Sequence, residues 1–317
     1  MLAAERWALC DSQPLYEGYL MPRKIQLTYY PWITQSISGS TLATAIQTFA
    51  QIVSADLSSR IADQVTIDVL PEMDVSDQIA NIKRPPPAGI DATLALMNPL
   101  GYAAAHSSDP AVTVILVVRR LLPGSTAGPT YRSQIYVNAL TGITTIAQLR
   151  KRSFAFGSPQ STSNFLMPAH LLWSNGLHPL HSFSSLVFAG GHDTVAQAVY
   201  KGQVDAGAGH DGVIIDLATK FGYSNAAERL TRIMWSPDIP SDPVVFRTGD
   251  PALSAAMVSS LCAIAPTNNG AAPGNQAIKA FWGTTEGFEP IASTAYDILL
   301  SSAADLGLRL DDMLKRV

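Results

Sequence analysis

The chain has 317 residues, of which 47% are hydrophobic and 15% charged, a balance typical of a folded globular protein rather than a disordered one. This length accommodates two domains or one large α/β unit. The formal net charge of -4 argues against a nucleic-acid-binding protein, which needs a basic surface, so any anion site must be a local patch.

Strand-like and helix-like segments alternate in the first part of the chain. Four apolar runs of strand length are expected to form strands: 25–30, 65–70, 92–97 and 112–118. Two stretches with apolar residues at helical spacing are expected to form helices between them: 41–57 and 75–82. This order predicts a mostly parallel sheet covered by helices on both faces.

A segment rich in proline and glycine, residues 123–129, breaks this pattern and predicts a crossover into a second lobe. Further strands are expected beyond it at 134–137, 153–157, 186–189, 204–208 and 232–235. In the second lobe, helices are expected at 145–150, 194–200 and 213–221, and a further helix follows the hydroxyl-rich turn and ends at about residue 174. Helices at 250–264 and 292–316 are expected where the chain returns to the first lobe.

The sequence therefore predicts two lobes joined by two strands. The expected division is an N-terminal extension at 1–24, a first lobe of 25–128 with 245–317, and a second lobe of 129–244. The cleft between such lobes is the natural ligand site, and it closes by a hinge motion.

Three consecutive hydroxyl residues follow the strand that ends at Gly157: Ser161, Thr162 and Ser163. They precede an apolar run of helical character, so backbone N–H groups, hydroxyls and the positive end of a helix dipole converge there. An ordinary helix N-cap needs only one hydroxyl. The cluster favours a site for a small oxyanion bound without a metal.

Two further polar residues occupy positions suited to ligand binding. His192 follows two glycines at the carboxyl end of a predicted strand, where open α/β sheets bind ligands. Its alternative role is to cap the helix that follows. Asp242 lies between two prolines and either initiates a turn or faces the anion, in which case it would select a protonated ligand.

Other motifs do not carry a function. Residues 207–212 fit the dinucleotide-binding pattern G-x-G-x-x-G, but no apolar strand of normal length precedes them. The chain contains no G-x-S-x-G motif of a hydrolase, and its histidines and cysteines lack metal-ligand spacing, so we expect no catalytic residues, no metal and no cofactor. Cys10 and Cys262 are expected to be separate thiols rather than a disulfide.

Six short motifs occur in order along the chain: Tyr131–Ser133, Phe154–Ser163, Gly190–Asp193, Val204–Ala208, Trp235–Val245 and Gly287–Pro290. Together they resemble the phosphate-, phosphite- and phosphonate-binding subunits of ABC importers, the periplasmic phosphonate-binding family. The likeness covers residues 25–300 and is strongest over 129–246.

The resemblance implies a two-lobed periplasmic-binding-protein fold of type II, each lobe a mostly parallel sheet flanked by helices, with a two-strand hinge. It implies a non-catalytic monomer that captures a small phosphorus oxyanion for an ABC permease, outside the cytoplasm. Residues 1–24 contain charges and no continuous apolar core, so no secretory signal is expected there. The alternative is therefore a cytoplasmic sensor or biosynthetic enzyme of the same fold that acts on a phosphorylated metabolite.

The resemblance also assigns individual residues to the site. It places the hydroxyls of Ser161, Thr162 and Ser163 on the anion, with Tyr131 and His192 as further donors and Asp242 in the hinge-side wall. Asp211 lies on the loop where aminoalkylphosphonate-binding members carry a glutamate, and its shorter side chain leaves amine recognition open. Tyr30, at the end of the first strand, is expected either to line the cleft from the other lobe or to pack as a core aromatic.

Overall fold

The computed structural model describes residues 22–33, 39–121 and 127–308. Most of the predicted N-terminal extension, residues 122–126 of the predicted crossover, and the last residues of the chain lie outside the described ranges. Within them the chain forms a two-lobed α/β fold with one main sheet in each lobe. The residue-level division of the chain between the lobes stays a prediction.

The first lobe is built on a six-stranded sheet. Its strands, in spatial order, are β13 (Thr285–Glu289), β4 (Val114–Arg120), β12 (Pro243–Thr248), β3 (Ala92–Leu96), β1 (Arg23–Tyr29) and β2 (Val65–Val69). β12 and β13 run against the other four strands, so the sheet is mixed: β2, β1 and β3 are paired in parallel, as predicted, whereas the three pairings that involve β12 or β13 are antiparallel. All five residues of β3 are buried because helices cover both faces of the sheet.

Six helices of at least two turns belong to this lobe: α1 (Gly39–Ile61), α2 (Val75–Ile82), α3 (Pro99–Ser108), α8 (Pro251–Ile264), α9 (Pro273–Trp282) and α10 (Asp297–Asp305). α1 packs against α8 and α9 through an apolar stripe at helical spacing, which includes Leu42, Ile46 and Phe49. Single 3₁₀ turns occur at Pro31–Ile33 and Ser293–Tyr296.

The second lobe is built on a five-stranded sheet. Its spatial order is β10 (Leu230–Trp235), β6 (Ser133–Asn138), β9 (Ala206–His210), β7 (Ser153–Phe156) and β8 (Ser185–Phe188), and only β6 runs against the others. Its helices are α4 (Met167–Ser174), α5 (His192–Tyr200), α6 (Val213–Thr219) and α7 (Ala226–Arg229). The helix predicted at 145–150 is a single 3₁₀ turn, Ile146–Leu149, and another such turn spans Ala139–Thr141.

Two short strands connect the lobes. β5 (Thr130–Tyr131) pairs antiparallel with β11 (Ile239–Pro240), which confirms the predicted two-strand hinge. The helix α10 makes a second connection between the lobes, because it packs on α3 of the first lobe and on α4 of the second. Nε2 of His170 and Oδ2 of Asp305 lie 3.1 Å apart at the second of these contacts.

The G-x-G-x-x-G segment begins inside strand β9 rather than in a loop between a strand and a helix. A Cβ at Gly207 would lie 2.5 Å from Cγ1 of Val195, and one at Gly209 would lie 2.9 Å from Cγ1 of Val213. These two glycines therefore allow α5 and α6 to approach the sheet closely, which is a packing role.

The predicted strands of both sheets are present, with ends shifted by a few residues. Sequence analysis missed α3, α7, β12, α9 and β13. Within the described ranges, none of the helices has the length and apolar character needed to cross a bilayer. Cys262 is a free thiol, and Cys10 lies outside the described residues.

Candidate functional site: the interlobe cleft

A cleft of about 120 Å³ lies between the lobes beside the hinge. This volume is well below the range of about 300–1,000 Å³ that is typical of sites for drug-sized molecules, so the cleft suits a small ion. The structure brings together on its wall all eight residues singled out from the sequence: Tyr30, Tyr131, Ser161, Thr162, Ser163, His192, Asp211 and Asp242. Their roles in binding stay predictions.

The hydroxyl-rich turn is a buried π-helical turn, Thr162–Leu166, that leads into α4. Ser161 is its N-cap, and its Oγ accepts a hydrogen bond from the Asn164 N–H at 3.1 Å. The capping alternative is therefore correct for Ser161. The hydroxyl accepts rather than donates in this contact, so its own proton remains available to an anion.

Pro168 explains why this turn is wider than an α-helix. Proline has no N–H, so the Asn164 carbonyl loses its usual partner in the next turn and instead accepts from the Gly157 N–H at 3.3 Å. The Met167 N–H donates to the Thr162 carbonyl, five residues back. The Asn164 N–H is taken by the Ser161 cap. The N–H groups that precede it in the first turn have no partner within a helix and can point at a ligand.

Thr162 also connects the two lobes. Its Oγ1 accepts a hydrogen bond of 3.0 Å from the Leu100 N–H in the first turn of α3. Beside it, Nδ2 of Asn98, the N-cap of α3, donates to the Gln160 carbonyl at 3.3 Å. Because α3 was not predicted, sequence analysis missed this contact between the lobes.

His192, which is buried, and His210, which is half-buried, form a pair with defined tautomers. Nδ1 of His192 accepts from the His210 N–H at 3.1 Å, and Nδ1 of His210 accepts from the Gly212 N–H at 3.0 Å. Each neutral ring therefore carries its proton on Nε2, which makes that nitrogen a donor. Burial lowers the pKa of His192 well below its ordinary value and lowers the pKa of His210 to about 3, with Arg120 adding to both effects.

The hinge-side wall contains an ion pair between a half-buried guanidinium and a buried carboxylate, which the sequence did not reveal. Arg120, the last residue of β4, binds Oδ2 of Asp242 through Nη2, and its Nε donates to Oγ of Ser241 at 3.1 Å. The hydroxyl of Tyr30 donates to Oδ1 of Asp242 at 3.0 Å. The carboxylate is therefore neutralised by the protein, which weakens the expectation that Asp242 selects a protonated ligand.

Tyr131, in hinge strand β5, joins this wall to the hydroxyl turn. The Arg120 guanidinium lies 5.3 Å from the centroid of its ring. Burial and the charge of Asp242 raise the pKa of the Tyr131 hydroxyl, although Arg120 and the nearby Ser163 hydroxyl act in the opposite direction. The hydroxyl is therefore neutral at physiological pH and can donate a hydrogen bond to an anion.

The remaining charged residues lie at the side of the cleft formed by α6 and the loop before it. Oδ2 of Asp211 accepts from the Arg132 N–H at 2.9 Å, and burial raises the pKa of this carboxyl group. Nζ of Lys220 lies 3.1 Å from Oδ1 of Asp216. A Cβ at Gly283, in the first lobe, would lie 3.5 Å from the same Nζ, so Lys220 reaches across the opening.

The cleft is equipped for hydrogen bonding to an anion. Nowhere in the described part of the chain do three or more His, Cys, Asp or Glu side chains form a group that could hold a metal ion.

Sequence analysis missed Arg120 and the charged residues on α6 as parts of the site. Their only signal in the sequence is a charge next to an apolar run, and this signal is weak because most such charges face solvent.

Comparison with known proteins identifies the family. The model of a family described as the phosphonate periplasmic substrate-binding protein of an ABC transporter matches residues 39–296. The chain belongs to this family. Its members are non-catalytic binding proteins, which confirms the predicted class over the alternative of an enzyme.

Individual relatives agree with this assignment. The phosphonates-binding periplasmic protein of Escherichia coli K12 is 33% identical over 126 residues, which are 38% of this chain and 36% of that protein. The chain thus matches about a third of the length of this curated relative.

Solved structures support the fold. PhnD1 from Prochlorococcus marinus, in complex with methylphosphonate, is 18% identical with a TM-score of 0.66 over 90% of this chain and 99% of that one. XAC2383 from Xanthomonas citri, bound to chloride ion, is also 18% identical, with a TM-score of 0.68 over 91% and 99%.

Proposed function

We propose that this chain captures a small phosphorus oxyanion (a phosphonate, phosphite or phosphate ester) in the interlobe cleft and presents it to the permease of an ABC importer. The observation that supports this most directly is the hydroxyl turn at Ser161–Ser163, which shares one small cleft with Tyr131 and His192. These groups are neutral donors, and a phosphorus oxyanion offers only acceptors on its ionised head group.

The number of donors is sufficient for useful affinity. A hydrogen bond to a charged group contributes about 1.5–3 kcal/mol. Four or five such bonds, less the costs of desolvation and ordering, are consistent with a dissociation constant of about 1 μM, or about 8 kcal/mol. Neutral donors also avoid a buried unpaired charge in the unliganded protein.

The hinge relates this binding to transport. The hydroxyl turn belongs to the second lobe, whereas α3 and the loop after α9 approach it from the first. A ligand that bonds to both sides stabilises the closed arrangement over an open one, and a permease can distinguish the two. We place the protein in the periplasm, as the family description and the name of the Escherichia coli relative suggest.

Isothermal titration calorimetry against phosphite, methylphosphonate, 2-aminoethylphosphonate, phosphate and sulfate tests the proposal. At least one phosphorus compound should bind with a dissociation constant of about 1 μM and more tightly than sulfate. Absence of heat from every phosphorus compound at about 1 mM, with a protein shown to be folded, would refute it.

A further inference from the structure

Three carboxylates line the cleft in the part of the chain that the structure describes: Asp211, Asp216 and Asp242. A carboxylate is the group that would recognise a cationic substituent on a ligand. Whether any of the three is free to do so therefore determines which ligands the cleft accepts.

Asp242 is engaged through both of its oxygens. Arg120 binds Oδ2, the Tyr30 hydroxyl donates to Oδ1 at 3.0 Å, and the side chain is 3% exposed. Arg120 is held in turn by the Ser241 hydroxyl at 3.1 Å. A ligand ammonium would have to displace a guanidinium that is anchored on two sides.

The other two carboxylates are engaged as well. Oδ1 of Asp216 lies 3.1 Å from Nζ of Lys220, and its Oδ2 lies 3.6 Å from Nε2 of His210. Oδ2 of Asp211 accepts from the Arg132 N–H at 2.9 Å, and the side chain is 7% exposed.

The unpaired polar atoms on the cleft residues are donors. Nε1 of Trp282 and Nδ2 of Asn164 are buried, and neither has a partner among the described residues, although both residues line the cleft. Nε2 of His192 is a third donor by its tautomer. Buried donors without partners are costly, and a ligand that carries acceptors removes that cost.

We propose that the cleft selects phosphorus oxyanions whose substituent lacks an amine, and that Arg120 determines this selectivity by occupying Asp242. The inference rests on the proposed function and specifies its substrate class: phosphite, alkylphosphonates and phosphate esters whose substituent carries no charge. An ammonium group would lose its water, would find Asp242 and Asp216 already paired with Arg120 and Lys220, and would lie close to these two cations. Asp211 is bonded through Oδ2 to the Arg132 N–H.

Matched ligands test this in the unmodified protein. Propylphosphonate and 2-aminoethylphosphonate have the same chain length and differ by a methyl group in place of an ammonium group. We expect calorimetry to show propylphosphonate binding at least about tenfold more tightly, and ethylphosphonate likewise over aminomethylphosphonate. Binding of phosphite or methylphosphonate alone would also support the proposal, because the aminated compounds remain excluded.

The outcomes separate the two proposals. Equal or tighter binding of 2-aminoethylphosphonate would overturn the amine-free selectivity and leave the proposed function intact. Absence of binding by every phosphorus compound would refute the proposed function, and this inference with it.

A variant tests the role of Arg120. Arg120→Met should free Asp242 and shift the affinity ratio toward 2-aminoethylphosphonate by at least about tenfold. Adding Asp242→Asn should abolish that shift, and this double variant also avoids a buried unpaired carboxylate if the single variant is unstable. Arg60→Met, which removes an arginine paired with Asp56 on α1, is the control. An unchanged ratio in folded Arg120→Met would overturn the assignment.

Discussion

The two walls of the cleft solve the same problem in different ways. The hydroxyl turn at Ser161–Ser163, the neutral wall, retains protons to donate to a ligand. The hinge-side wall is charged, and its two charged side chains, Arg120 and Asp242, pair with each other. Buried charge must be paired before a ligand arrives, but buried hydroxyls need only one partner and can gain another. Variants of the first wall should therefore lose affinity, and variants of the second should mainly lose stability.

The largest effect is expected on the neutral wall. Ser161→Ala with Thr162→Ala removes two donors to the anion, worth about 3–6 kcal/mol together, so affinity should fall more than about a hundredfold. Loss of the Ser161 cap should cost about 0.5–2 kcal/mol of stability, and loss of the Thr162 acceptor for the buried Leu100 N–H should cost about 1–3 kcal/mol more. Calorimetry and thermal unfolding of the unliganded protein measure the two effects.

Ser259→Ala is the control for this double variant, because the Ser259 hydroxyl bonds only to its own helix, at the exposed Ala255 carbonyl. It should leave affinity unchanged. A double variant that binds normally, or one that unfolds without ligand, would show that the turn is structural and that the walls do not differ as proposed.

Low pH should lower the stability of the fold through His192 and His210, which line the same cleft as the hydroxyl turn. Burial lowers the pKa of His192 and His210, so below their ordinary pKa of 6.5 the unfolded chain binds protons that the folded protein does not. Stability should fall as pH drops from 6.5, by about 1.4 kcal/mol per pH unit for each histidine. Asp211, whose pKa burial raises, acts in the opposite sense only above its ordinary value of 3.8.

Denaturant unfolding measured between about pH 5 and pH 8 measures this slope. Stability should be nearly constant above pH 6.5, the ordinary pKa of histidine, and His210→Asn should reduce the slope below it by about one histidine. Equal slopes in the variant and the unmodified protein would show that His210 is not held neutral in the fold.

The difference between the walls also explains what the sequence could predict. The hydroxyl turn is contiguous, and its chemistry follows from local order: a strand, a glycine, three hydroxyls and a helix. The two lobes and their hinge follow similarly from periodicity and from the break at residues 123–129.

The hinge-side wall could not be predicted because it is assembled from distant segments. Arg120 and Asp242 are 122 positions apart, and their pairing depends on β12 inserting between β3 and β4. β12 itself was missed because it follows two prolines and a short polar stretch rather than a turn between periodic runs. The contact of Leu100 with Thr162 required α3, whose small residues and glycine give a weak helical pattern.

A glycine substitution tests the neutral wall separately from the charged wall, because it changes the position of the hydroxyl turn and removes none of its hydroxyls. A Cβ at Gly157 would lie 2.1 Å from Nδ2 of the buried Asn164, so Gly157→Ala must displace this side chain, whose Oδ1 accepts the Gly157 N–H and holds the turn in position. We expect affinity to fall about thirtyfold, or about 2 kcal/mol.

Gly249→Ala is the matched control, because a Cβ there would have no heavy atom within 4 Å. It should bind ligand as the unmodified protein does. If Gly157→Ala bound ligand with unchanged affinity, the turn would not need its observed position and the first wall would be less ordered than we infer.

The smallest effect on affinity is expected for Tyr30, which lies on the charged wall and which the sequence left between lining the cleft and packing as a core aromatic. Its only hydroxyl proton is donated to Asp242, so it has none left for an anion. Tyr30→Phe should change affinity by less than about threefold and lower the free energy of unfolding by about 1.5 kcal/mol. Tyr200→Phe, which removes an exposed hydroxyl bonded to Asn225, is the control for the loss of a hydroxyl. A large loss of affinity with unchanged stability would instead assign the Tyr30 hydroxyl to the anion, while Arg120 would still occupy the other oxygen of Asp242 and keep an amine out.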